Sequence, residues 1–95
     1  NNARNIQLER YKNHNIFSNS QLTPKLINEY CKLSFESKKI LRNAFENLGL
    51  SARAYNRILK VARTIADLDN SKNIKTYHLT EAIQYRTLDR KYWSR

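Results

Sequence analysis

The sequence predicts an all-α fold, a small bundle of four to five helices, and three observations carry that prediction. The chain has one glycine and one proline, too few to supply the turns of a hairpin-rich architecture. Its β-branched residues are scattered and do not gather into alternating runs. Its apolar residues recur at intervals of three and four, most clearly between Ala54 and Leu68.

Residues 2–12 can form a first helix, in which Ile6, Leu8 and Tyr11 are the only larger apolar positions beside the charges of Arg4, Arg10 and Lys12. Asn13-His14-Asn15 reads as a stop and turn, and Ser18, Asn19 and Ser20 keep the next segment polar. This predicts a loop anchored by Ile16 and Phe17. Thr23-Pro24 is a helix start, with threonine as cap and proline where its missing N–H costs nothing. Leu26, Ile27, Tyr30 and Cys31 carry that helix to about Lys32. Ser34 can cap the next helix, whose stripe of Ile40, Leu41, Ala44, Phe45 and Leu48 is expected to face the long helix that follows. Gly49 ends it, since glycine takes the left-handed conformation of a C-terminal cap freely.

The long helix then starts at Ser51, whose hydroxyl suits an N-cap. Ala54, Ile58, Val61, Ala62, Ile65 and Leu68 fall on one side, widened by Tyr55, Leu59 and Ala66 to nearly half the cylinder. The opposite side carries Arg53, Asn56, Arg57, Lys60, Arg63, Thr64 and Asp67. Cations come first and acids last along this side, with Asp69 just beyond, which is the order the helix macrodipole disfavours. One compensation is an anion, most simply a phosphate, held near the helix start by Arg53 and Arg57 together with free backbone N–H groups. The other reading makes both arginines ordinary solvent-facing residues. After the helix, residues 69–73 form a polar turn, Ile74 an anchor, and Thr76 or Tyr77 opens the last helix with Leu79, Ala82 and Ile83 as its core face. Tyr85, Arg86, Leu88, Asp89 and Arg90 continue it, Arg86 and Arg90 agreeing with the helix dipole, and Trp93 either packs back or lies exposed.

The 95 residues with 40% apolar content suit a single domain, residues 1–20 forming a linker helix and loop and residues 21–95 the bundle. A net charge of +10 makes polyanions, nucleic acid among them, legitimate partners. Lys38, Lys39 and Arg42 lie on the outer side of their helix, as a solvated face or a DNA contact. A lone cysteine excludes a disulfide framework, and Cys31 reads as a small buried side chain. His14 and His78 lack metal-ligand spacing, so no metal site is expected. One glycine cannot make a Gly-x-x-x-x-Gly-Lys-Ser/Thr phosphate loop, so no ATP hydrolysis is expected of this chain alone. No apolar run reaches the roughly 20 residues of a membrane span and no secretory signal is visible, so a cytoplasmic location without membrane partners is expected.

The string Leu-Gly-Leu-Ser-Ala-Arg-Ala-Tyr-Asn-Arg-Ile-Leu-Lys-Val-Ala-Arg-Thr-Ile-Ala-Asp-Leu from Leu48 to Leu68, followed by residues 78–86 and Leu88-Asp89-Arg90, closely resembles the C-terminal domain of the magnesium-chelatase-like AAA+ ATPases, the ComM/YifB family. The resemblance covers residues 33–90 closely and the earlier third more loosely. It implies a helical AAA+ C-terminal lid following an upstream nucleotide-binding core, with ATP as cofactor and Mg2+ held by that core. It implies further that Arg53, in its Ser-x-Arg context, is the sensor-2 arginine reading the γ-phosphate, with Arg57 a neighbouring partner or interface residue. Neighbouring subunits, a hexamer in the parent, and DNA branch migration in recombination and competence are likewise implied. No tetrapyrrole binding is expected. The alternatives are a stand-alone basic helical module that binds nucleic acid, and a protein-interaction bundle.

Overall fold

The computed structural model describes the backbone of residues 2–93 and the side chains of residues 2–85. Five helices follow in order: α1 (Asn2–Arg10), α2 (Pro24–Tyr30), α3 (Phe35–Leu48), α4 (Ala52–Leu68) and α5 (Thr76–Trp93), with a short 3-10 turn at Asn19–Gln21 between α1 and α2. The all-α bundle expected from the sequence is the architecture observed. The side chains of Arg86, Leu88, Asp89, Arg90 and Trp93 lie outside the described residues.

Local signals set most of the helix ends. Thr23, Ser34 and Ser51 are N-caps whose hydroxyls accept from the backbone N–H of Leu26, Ser37 and Ala54 at 3.4, 3.1 and 3.2 Å. Gly49 sits at φ 60°, ψ 42°, and Leu50 N–H donates back to the Phe45 carbonyl, a left-handed cap that closes α3 and tucks Leu50 into the core. The end of α4 uses the same device without glycine. Asn70 takes φ 55°, its N–H donates to the Asp67 carbonyl, and Ser71 N–H donates to that of Ala66. The start of α5 is closed from inside the helix, where His78 Nδ1 accepts from Lys75 N–H at 2.9 Å, the place a glutamate takes in a capping box.

Helix α4 is the hub. It packs against α5, α1, α2 and the 3-10 turn, burying Ala54, Ile58, Leu59, Ala62 and Ala66. Leu41, Leu79, Ala82, Ile27, Leu22 and Tyr11 complete the core around it. The stripe of α3 faces chiefly α5, not α4 as expected, although Phe45 still reaches Tyr55 of α4 edge-to-face. A parallel β-bridge between Leu33 and Ile74 ties the connection before α3 to the one before α5.

One loop anchor read from the sequence, Phe17, and one position of the apolar face of α4, Leu68, do not bury, whereas a polar residue does. Phe17 is 69% exposed and Leu68 66% exposed, whereas Asn19 is buried. The buried face of α1 is formed by Ala3 and Gln7, with Tyr11 just beyond, while Leu8 stays outside. Asn19 joins these elements: its N–H donates to Gln7 Oε1, its carboxamide oxygen accepts from the Tyr11 hydroxyl, and its NH2 donates to Thr64 Oγ1 and Asp67 Oδ2.

The solvent-facing reading of Arg63 and Asp67 is also corrected, for both are buried. Asp67 accepts a two-pronged contact from Arg10, at 2.9 and 2.7 Å, and pairs with Arg63 one turn earlier on its own helix at 3.1 Å. Arg63 also donates from its two terminal nitrogens to the carbonyls of Lys72 and Ser71, while its buried Nε–H has no partner among the described residues. Burial is the largest influence on Arg10 and opposes its charge, but the hydrogen bonds to Asp67, the Tyr11 oxygen and the Asp67 charge together outweigh it and raise the guanidinium above its usual range. The acid at the disfavoured end of α4 is thus compensated by two arginines, one of them from the N-terminal helix.

Candidate functional site

The junction between α3 and α4 turns within three residues because glycine closes one helix and serine opens the next. Ser51 occupies the N–H of Ala54 with its hydroxyl and that of Tyr55 with its carbonyl. Among the described residues, the N–H groups of Ala52 and Arg53 have no acceptor, so they are free to meet an anion. The helix behind them is 17 residues long.

Arg53 and Arg57 stand on the first turns of α4, both exposed, and neither has a hydrogen-bond or ion-pair partner among the described residues. They face the same groove, a cleft of about 810 Å³ along the outer side of α4. Arg53, Arg57 and Lys60 border one part of it, and Val61, Ile65 and Leu68 another. Leu22 and Pro24 flank the groove, with Glu81 and Tyr85 its remaining contribution from α5. The exposure of Leu68 follows from this layout, since the residue lines the groove and does not enter the core. Lys60 is tethered by a 3.3 Å bond to the Ser20 carbonyl. The two arginines are therefore uncommitted forks beside free backbone donors, an arrangement able to grip an oxyanion.

The remaining chemistry-bearing side chains are engaged structurally. His78 is buried, and because its Nδ1 accepts from Lys75 N–H, its Nε2 carries the proton toward Asp69 Oδ2 at 2.9 Å. Hydrogen bonds from His78, and then from the Tyr77 hydroxyl, hold the Asp69 carboxyl below its ordinary value. The Tyr77 phenol is raised by the same carboxylate. His14 Nε2 meets the Tyr30 hydroxyl at 2.9 Å. Burial pushes the Cys31 thiol up to about 11, which makes it inert near neutrality, as the sequence suggested. Among the described residues no group of three or more His, Cys, Asp or Glu side chains is placed to hold a metal ion. Among the described residues no helix is long and apolar enough to cross a membrane.

Sequence reasoning placed Arg53 and Arg57 on the correct helix end. It missed that Leu22 and Pro24 border the same groove, because nothing in their local pattern shows that the segment around the 3-10 turn folds back along α4.

Residues 1–86 match the family described as Magnesium chelatase, subunit ChlI C-terminal. The chain is 47% identical over 88 residues to a protein of Haemophilus influenzae named Competence protein ComM, covering 93% of this chain and 16% of that protein. It is 49% and 44% identical over 72 residues to the YifB proteins of Escherichia coli and Salmonella typhimurium, each covering 76% of this chain and 14% of the relative. The chain thus spans about one-seventh of the length of the curated relatives it matches. No solved structure matches it.

Proposed function

The chain belongs to the magnesium chelatase ChlI C-terminal family, and from that premise we propose that it is the helical lid of a ComM-like AAA+ ATPase, reading bound ATP through Arg53. One observation carries the reading: an exposed arginine without a partner among the described residues stands beside two free backbone N–H groups at the start of a long helix. The chemistry fits a terminal phosphate, which takes a planar guanidinium fork and backbone donors together. Arg57, one turn on, adds charge or meets a neighbouring subunit. Mg2+ and the phosphate loop belong to the upstream core. Because α4 touches α1, α2 and α5, a change in what Arg53 grips is passed to the whole bundle, which is how nucleotide state couples to subunit motion in this reading. The parent's task, on the family resemblance, is DNA branch migration by a hexamer.

The test is steady-state ATP hydrolysis and ATP binding by the full-length parent carrying Arg53→Ala, with Arg57→Ala as neighbour control and assembly checked by sedimentation. Loss of a charge-assisted hydrogen bond worth about 1.5–3 kcal/mol corresponds to an effect of roughly 10- to 150-fold. Unchanged affinity and turnover in Arg53→Ala would return both arginines to the role of solvated surface charges.

A further inference from the structure

A second cleft, of about 770 Å³, opens between the end of α2, the outer side of α3 and the first turns of α4. Three cations border it: Lys32 from the α2–α3 connection, and Lys38 and Arg42 one turn apart on α3. Among the described residues no carboxylate does. The ammonium groups of Lys32 and Lys38 have no hydrogen-bond or ion-pair partner among the described residues. Arg42 has only a 3.9 Å contact with Glu46, both side chains largely exposed, a separation at which little charge is neutralised. The floor is apolar, with Ile27, Cys31 and Leu59 buried beneath it.

Positive charge alone would suit any polyanion, but the cleft also holds an aromatic pair. Phe45 and Tyr55 meet edge-to-face with ring centroids 5.8 Å apart at 80°, which holds both rings in place while each keeps part of its surface exposed at the cleft. Asn28 of α2 and Asn56 of α4 also line the cleft, the carboxamide of each with donors and an acceptor uncommitted among the described residues. A double helix hides its base faces, so accessible ring surface in a cleft bordered by cations suits a strand whose bases are unpaired.

We propose that this cleft binds single-stranded nucleic acid, with Lys32, Lys38 and Arg42 on backbone phosphates and a base stacked on the Phe45–Tyr55 pair. Ile27 and Asn56 also border the groove along α4, so a strand leaving the cleft passes directly toward Arg57 and Lys60. The assignment goes beyond the ATP reading and does not depend on it, since neither Arg53 nor Arg57 lines the cleft.

The experiment is fluorescence anisotropy of a labelled oligothymidylate with the 95-residue chain, titrated against salt, with helical content verified by circular dichroism. Each single-strand phosphate contact contributes about 0.7 to the slope of log K against log salt, so the combined Lys32→Ala, Lys38→Ala, Arg42→Ala variant is expected to flatten that slope by about 2. Phe45→Leu, which keeps an apolar contact to Tyr55 but removes the ring, is expected to weaken binding by roughly 5- to 150-fold, leaving heparin binding unchanged. Arg53→Ala with Arg57→Ala is expected to retain the full Phe45 dependence, which separates this site from the ATP reading. An oligonucleotide carrying 5-iodouracil should photo-crosslink to Phe45 or Tyr55 in the unmodified chain and in its longer parent, a readout independent of whether any variant folds. The proposal is overturned if Phe45→Leu binds as well as the unmodified chain, if crosslinks map elsewhere, or if polyglutamate competes as strongly as the oligonucleotide, which would mark an acidic-peptide groove.

Discussion

Asp67→Ala is the perturbation to which this fold should be most sensitive. Its carboxylate is fully buried and is shared by Arg10, Arg63 and the Asn19 amide, which belong to α1, α4 and the 3-10 turn. Removing one partner of a buried ion pair costs about 3–5 kcal/mol, because the remaining charge stays out of water uncompensated. Arg10 keeps 16% of its side chain exposed and can partly rehydrate, and Arg63 retains two carbonyl acceptors, so the lower part of that range, about 3–4 kcal/mol, applies. A domain of this length holds about 5–14 kcal/mol in total, so the loss is about a fifth or more of its stability and about 12–30 °C in melting temperature. Urea denaturation followed by circular dichroism should show a lower midpoint with an unchanged slope. Native-state hydrogen exchange should show the Tyr11 amide, which donates to the Gln7 carbonyl, losing protection before the core of α4. A double-mutant cycle with Arg10→Ala should give a coupling above about 1 kcal/mol. If Asp67→Ala unfolds within about 1 kcal/mol of the unmodified chain, or the coupling vanishes, the carboxylate is hydrated and the account of how α1 is held is wrong.

Two further outcomes follow from the ends of α4. Gly49→Ala places a Cβ in open space, with nothing within 4 Å, but forces alanine to φ 60°, so it should cost about 1–2 kcal/mol by urea titration through backbone strain alone. A neutral result would mean that the turn relaxes out of the left-handed region. At the other end, the folded-state pKa of Asp69 lies below its ordinary 3.8 because His78 and Tyr77 donate to the ionised form. A depressed carboxylate contributes stability above pH about 3.8 that is lost as pH falls through the folded value, so Asp69→Asn should flatten the acid limb of the urea midpoint plotted against pH. An identical acid limb in that variant would remove Asp69 from the account.

Much of the fold is legible because helix signals are local. A threonine before proline, serines before apolar runs and a lone glycine after one each act within a turn, and the structure places N-caps at Thr23, Ser34 and Ser51 and a left-handed cap at Gly49. The core positions Ala54, Ile58 and Ala62 follow from spacing alone, as does the placing of Arg53 and Arg57 on the opening turns of α4. Periodicity says which side of a helix is apolar but not which helix covers it. That is why the stripe of α3 meets chiefly α5, with Phe45 reaching α4, and why Leu68, on the apolar side, borders a groove. The polar residues were beyond reach for a different reason. Asp67 and Arg63 look like surface charges in sequence, and only their tertiary partners reverse that: Arg10, 57 positions from Asp67, and Asn19, 48 positions away. Lys32, Lys38, Phe45 and Tyr55 likewise share a cleft only because α2, α3 and α4 enclose it. The sequence by itself determined the helices, the caps at Thr23, Ser34, Gly49 and Ser51 and the charged start of α4, since these depend on neighbours within about one turn. The buried ion cluster and both grooves were decided by the tertiary structure, because burial and charge pairing depend on which distant segments meet.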